Sequence, residues 1–313
     1  MSQSFCSGVS NMNVKSPGKG KVSIIGGGDM AIACLLAISA KGTASKLVLI
    51  QPSDSGAATD LDIFCLPNVQ VTNYFAAISD SKVVVIAVNT WSNSQTYLGV
   101  LQSNVNLLRS IVPAVGLHCP DCILLVASQP VEIMTYVTWK LSGLPAPQVL
   151  GIGCNLDSQR FQHIIKKMVH SEKRIQKAWI IGEQGKNKVA VWYNPDLSTS
   201  NQPKIYPKIF QEQLACRAIE ILKVKGQRSW SVGLSISDIT DTIVQNSRKV
   251  HSVSSLSKGF FGVQEEVFLS IPCVLGSNGV IGTVQALQED KKVSETLQTS
   301  AERISSLQKQ LKL

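Results

Sequence analysis

Apolar and polar positions change rhythm along this chain, and the changes predict alternating strands and helices. Lys21 to Ile25 is a β-branched run ending in Gly26-Gly27-Gly28. Helical apolar spacing follows from Met30 to Ser39, then a second short apolar run from Lys46 to Ile50. This strand, glycine turn, helix and strand have the length of a parallel crossover. Further strands are predicted at Val83–Val88 and Ile123–Ala127. Helices are predicted at Leu101–Val115 and Val131–Leu141, the latter with Pro130 near its first turn. Alternation from residue 21 to about 154 describes an α/β fold built on a doubly wound parallel sheet.

Beyond Asn155 the rhythm changes. Asp157–Met168 and Gln211–Lys223 read as helices, and Ala178–Ile181 and Val189–Tyr193 as short strands. Asn194–Lys208, rich in Pro, Asn and Ser, reads as a loop. Residues 291–312 form a polar helix with Val293, Leu297, Ile304, Leu307 and Leu311 at three- and four-residue spacing. The expected organisation is a flexible lead-in over 1–20, a dinucleotide-binding-like unit over 21–155 and an α+β unit over 156–313. There are no internal repeats.

Composition narrows the class. The 313 residues are 44% hydrophobic and 16% charged, which suits a folded protein with a large core. No apolar run approaches the roughly 20 residues that span a bilayer, so no membrane partner is expected. Met1 to Lys21 lacks an apolar core and is not a secretory signal. Most of the eight cysteines lie in apolar contexts, as in a reduced, cytoplasmic protein. Cys119-Pro120-Asp121-Cys122 is a lone CxxC before an apolar run; a redox pair would want a helix after it and zinc two more ligands, so neither chemistry nor a metal is expected. The net charge of +9 has its densest cluster at Lys166, Lys167, Lys173, Arg174, Lys177, Lys186 and Lys188. Glu172 and Glu183 interrupt it and no aromatics interleave, which favours a solvated helix face over nucleic acid.

The glycines carry the first candidate chemistry. Gly26-x-Gly28-x-x-Ala31 stands after a strand and before a helix, the Rossmann context in which this spacing cradles a diphosphate. Gly26 permits the tight turn, Gly28 admits a close ligand, and Ala31 keeps helix and strand together. Two residues oppose binding. Asp29 suits the helix dipole but repels a diphosphate using the same amides. The second strand ends in Gln51-Pro52, where an acidic residue would hold the adenosine ribose. Gln51 still offers neutral hydrogen bonds, so weak NAD binding and an empty fold kept for its packing both stay open.

Gly182-Glu183-Gln184-Gly185 resembles the Gly-Glu-His-Gly turn of the lactate/malate dehydrogenases. The stretches Gly153 to Phe161, Ser229 to Ser235 and Phe268 to Gly276 are similar to further landmarks of that family, and the resemblance runs from Lys21 to Leu313. It implies a histidine where Gln184 stands, and a glutamine cannot hold or release a proton near neutral pH. It implies a carbonyl-polarising loop arginine, but no Lys or Arg lies between Lys82 and Arg109 and the matching position is Tyr97. Losing one preorganised donor of this kind costs about 10²–10³ in rate. Gln129 replaces an asparagine that contacts substrate and cofactor, and Arg228 stands where lactate enzymes carry a threonine. The segment from Gln51 to Lys82 is shorter than in the family, which trims a helix beside the adenine pocket.

Arg160 matches the arginine that grips a substrate carboxylate. Asp157 matches the aspartate that orients the missing histidine, so pairing with Arg160 and capping the helix are its alternatives. Of His118, His163, His170 and His251, only His163 comes near the pocket in sequence, and a helix-face histidine is more often structural. The departures are most similar to those of dehydrogenase-like domains that follow a ubiquitin-conjugating enzyme variant domain. The expectation is therefore a catalytically inactive dehydrogenase-like module acting through a dinucleotide, a small carboxylate or a protein, homo-oligomeric as the family is, with a regulatory part in ubiquitin conjugation or protein sorting and ubiquitin-pathway partners implied by resemblance alone. The alternatives are a weak NAD-dependent oxidoreductase acting on 2-hydroxy or 2-oxo carboxylic acids, and an oligomeric scaffold that binds no small molecule.

Overall fold

The computed structural model describes residues 20–52, 61, 66, 68–90, 95–168, 178–185, 187–192, 204–205, 229–284 and 291–313. The lead-in through residue 19, the helix expected over Gln211–Lys223, Arg228, and the loop expected over Asn194–Lys208 apart from Lys204–Ile205 lie outside them. Mainly apolar runs, with the buried Ser23 in β1 satisfied by Ser81, form β1 (Lys21–Ile25), β2 (Lys46–Ile50), β4 (Ser81–Ile86) and β5 (Ile123–Val126), as expected of strands covered on both faces. Between them run α1 (Asp29–Lys41), α2 (Tyr97–His118) and α3 (Val131–Ser142). Two further strands, β3 (Val69–Thr72) and β6 (Val149–Gly151), complete a parallel set in the order β3-β2-β1-β4-β5-β6. That is the doubly wound Rossmann order.

The sheet does not stop there. β10 (Val250–Leu256), β11 (Phe268–Gly276) and β12 (Gly279–Thr283) add an antiparallel meander beyond β6, giving nine strands. A second, three-stranded sheet comprises β7 (Ala178–Ile181), β8 (Val189–Trp192) and β9 (Lys204–Ile205). It packs with α4 (Asn155–Met168) over a small core of Cys154, Phe161, Ile165, Ala178, Ile180 and Ala190. Gly182 joins it to the large sheet by a reciprocal backbone pair with Ser270, at 2.8 and 2.9 Å. The turn at Gly182–Gly185 is thus pinned where the two sheets meet.

Two helices finish the molecule. α5 (Ser229–Val244) lies against α1 so closely that a Cβ on Gly233 would sit 2.6 Å from the Ala33 carbonyl oxygen, a contact only glycine tolerates. α6 (Lys291–Gln308) buries Val293, Leu297, Ala301 and Ile304, one stripe of the expected amphipathic helix. No helix among the described residues is long and apolar enough to cross a membrane.

Candidate functional site

The phosphate loop owes its shape to backbone alone. Gly26 adopts φ +153°, and a Cβ there would lie 2.5 Å from the Ala87 carbonyl oxygen. A Cβ on Gly28 would meet nothing within 4 Å, so this part of the loop is open to a ligand. The amides of Ala31 and Ile32 are already bonded to the Gly28 carbonyl, which starts α1 cleanly. Gly27, Gly28, Met30, Pro52, Val88 and Asn89 line a cleft of about 330 Å³. Asp29 lines it too, and its carboxylate is exposed at the helix start. Gln51 is buried at the end of β2, with its side-chain nitrogen unpartnered among the described residues. An open glycine cradle and an unspent amide donor fit the phosphate and ribose of a dinucleotide; Asp29 opposes the phosphate.

Asp157 sits in the first turn of α4, its side chain 12% exposed, and it is fully engaged. Its Oδ2 accepts from Lys188 Nζ at 2.7 Å and its Oδ1 faces an Arg160 guanidinium nitrogen at 3.4 Å. Of the two alternatives for Asp157, the structure thus displays the pairing with Arg160 and adds Lys188 as the nearer partner. Arg160 keeps 23% of its side chain exposed. With one long contact to Asp157, its fork retains donors for an outside anion.

Lys188 corrects the reading of the basic cluster. It is not on a solvated helix but just before β8, with a side chain only 11% exposed. Its signal in sequence was its place directly before a buried strand, which outweighs the local density of lysines.

Gln184 is part-buried in the Gly182–Gly185 turn. Its backbone N–H donates to Glu132 Oε1 at 2.8 Å, and its side-chain oxygen is buried without a partner among the described residues. The neighbouring Glu183 pairs through Oε1 with Arg303 of α6, while its Oε2 is buried and has no partner among the described residues. Both atoms are acceptors, whereas a carbonyl substrate needs a donor.

Glu132, in the first turn of α3, was not foreseen. It is 2% exposed, and burial pushes its carboxyl up to about 7 against the bond from Gln184 and one from Ser254. The only hint in sequence was an acid inside the apolar Val131–Leu141 stretch, where it passes for a helix-dipole partner.

Tyr97 is the first residue of α2 and is 56% exposed. Partial burial, then Glu183 and Glu132, push its phenol above its ordinary range while Arg303 opposes them, so the structure brings Tyr97 to the Gln184 turn. Gln129 is exposed, its N–H bonded to Asn89 Oδ1 at 2.7 Å. Among the described residues no histidine takes over. His163 is exposed on α4 and His118 closes the far end of α2. His251, expected in a polar stretch, is buried in β10, between Thr242 at 2.8 Å and Asn155 at 3.1 Å. His170 lies outside the described residues. Nor does any group of three or more His, Cys, Asp or Glu suited to a metal occur among the described residues.

Comparison with known proteins agrees with this architecture. Residues 20–151 match the model for the lactate/malate dehydrogenase NAD binding domain, and residues 154–312 that for the family's alpha/beta C-terminal domain. A Xenopus tropicalis protein named ubiquitin-conjugating enzyme E2 variant 3 is 68% identical over 98% of this chain, and its Danio rerio counterpart 45% identical over 92%. The chain spans 66% and 64% of the length of those two relatives. The L-lactate dehydrogenase B chain of Sceloporus undulatus is 36% identical over 93% of this chain and 92% of its own length. Fold, strand order and these matches together make the chain a member of the lactate/malate dehydrogenase family.

Proposed function

We propose that this chain is a dehydrogenase-like module without turnover, acting by binding a dinucleotide, a small carboxylate or a protein. One observation carries the reading: Asp157, the group that would orient a proton-carrying imidazole, is held by Lys188 at 2.7 Å, and the imidazole's position is Gln184. A salt bridge this sheltered leaves the carboxylate no role in proton transfer. What remains is receptor geometry: the open Gly28 cradle, the unspent Gln51 amide and the reachable Arg160 fork. NAD, when bound, would supply a hydride acceptor or donor; Gln51 and the loop amides would hold it. The relatives named for ubiquitin conjugation supply the setting, in which ligand binding here tunes a ubiquitin-conjugation protein.

A second reading, a weak oxidoreductase on 2-oxo acids, is favoured by Glu132, whose carboxyl is poised near neutrality against the Gln184 turn. NADH fluorescence titration followed by turnover assays with pyruvate, oxaloacetate and longer 2-oxo acids separates the two. Binding without turnover is the expected result. Steady-state turnover that disappears in Arg160→Ala would overturn the first reading. Adding Lys188→Ser to Gln184→His and Tyr97→Arg should raise turnover by at least about tenfold over the double change, because it frees Asp157 for the new imidazole.

A further inference from the structure

The strands of the parallel sheet end at the cofactor cleft and begin at the opposite face, where the CxxC segment lies. Cys119 caps the C-terminus of α2, its N–H bonded to the Val115 carbonyl at 2.8 Å. The N–H of Cys122 returns to the Cys119 carbonyl at 3.3 Å, closing a four-residue turn immediately before β5. Such a turn keeps its end Cα atoms within roughly 7 Å, inside the range a disulfide requires. Within it Cys119 Sγ donates to the Ser81 carbonyl at 3.4 Å. The sequence expectation was that no chemistry occurs here without a following helix. The structure supplies other stabilisers for a thiolate: the thiol of Cys122 and the nearby Lys21 ammonium at the start of β1.

These effects separate Cys119 from every other described thiol. The neighbouring Cys122 thiol and then the Lys21 charge hold Cys119 down to about 7, against burial and Asp80. Cys122 moves up, first because of the neighbouring Cys119 and then by burial. Burial pushes Cys34 and Cys273 up to about 12 and Cys154 higher still. Both residues are buried, Cys119 at 4% and Cys122 at 0% exposed, so Cys119 is the nearer of the two to solvent.

We propose that Cys119 and Cys122 form a reversible thiol–disulfide exchange site for a small disulfide of the glutathione type. The Cys119 thiolate attacks one sulfur of the small disulfide, making a mixed disulfide and expelling one thiolate. Cys122 then gives its proton to solvent and attacks the Cys119 sulfur, expelling the second thiolate. Two protein thiols are oxidised to one disulfide while one small disulfide is reduced to two thiols. The bond staples the end of α2 to the start of β5 and leaves the cleft end of the fold untouched.

The test uses the intact reduced chain equilibrated with mixtures of glutathione and glutathione disulfide, acid-quenched, alkylated and mapped by peptide mass. The expected result is a Cys119–Cys122 disulfide as the first modification. Cys122→Ser should accumulate a glutathione adduct on Cys119, whereas Cys119→Ser should gain none on Cys122. If the variants unfold, the unmodified native chain still decides: Cys119 should react with iodoacetamide with a midpoint near pH 7 and at least about tenfold faster than Cys34 or Cys273. Equal alkylation of the three native thiols overturns the proposal. So does a chain that stays reduced in glutathione disulfide while its urea-unfolded form becomes oxidised.

Discussion

The glycine loop after β1 and the Gly182–Gly185 turn after β7 are both strand-end turns, yet they keep different things. The first works through backbone: a φ of +153° at Gly26 and empty space beside Gly28 are all its geometry requires. Those features also serve packing, so they persist whether or not anything binds. The second needs one side chain with a proton to exchange, and Gln184 sits in the same pinned turn without disturbing it, its N–H bonded to Glu132 and Gly182 paired with Ser270. Fold preserves the function that backbone carries and is indifferent to the function that a single side chain carries.

That contrast is sharpest at Asp157. If its role is now structural, removing its charge should act on stability before anything else. Asp157→Asn leaves Lys188, 11% exposed, without its carboxylate. Breaking a sheltered pair from one side costs about 3–5 kcal/mol. Urea denaturation should show the loss; a cost below about 1 kcal/mol would mean that solvent already serves both charges and that Asp157 is free for other work.

Glu132 offers the next largest effect, with a defined sign. Its carboxyl moves from an ordinary 4.5 to about 7 in the folded chain, so the folded state holds the proton more tightly than the unfolded one. This group therefore costs nothing below about pH 4.5, weakens the fold progressively from there to pH 7, and holds a constant penalty above, of about 3 kcal/mol. Glu132→Gln keeps an acceptor for the Gln184 N–H and abolishes the titration. Its stability minus that of the unaltered chain should rise between pH 5 and pH 7 and then level off. A flat difference would show that Glu132 stays charged, and would remove the support for a proton at the turn.

The sequence made much of this legible. Mainly apolar runs disclosed β1, β2, β4 and β5, because strands covered on both faces have no solvated polar side to show. β10 was missed for the converse reason: Ser252, Ser254 and Ser255 look like loop residues but are buried, with Ser252 bonded to the Ile180 carbonyl. Serines that satisfy themselves across a sheet interface leave no hydrophobic pattern. At the site, Gln184, Tyr97 and Arg160 could be identified by alignment to motif landmarks. The roles of Lys188 and Glu132 could not, because each acts through a partner distant in sequence, Asp157 and the Gln184 turn respectively.

The smallest effect falls back on the loop, where Asp29 is the one charged side chain among the described residues that line the cleft. If the cradle still takes a diphosphate, that carboxylate competes for the same helix N-terminus and repels the incoming charge. Asp29→Asn keeps a residue that suits a first helical turn and removes the repulsion. NADH affinity should tighten about threefold to fivefold at low salt, and the gain should shrink as added salt screens it. Adenosine, which shares the ribose and base but has no phosphate, should bind both proteins alike. Equal tightening for adenosine would locate the effect in loop shape instead of charge. No change for either would mean that the loop is retained for the packing of β1 and α1, and the backbone half of the comparison would then have lost its ligand as well.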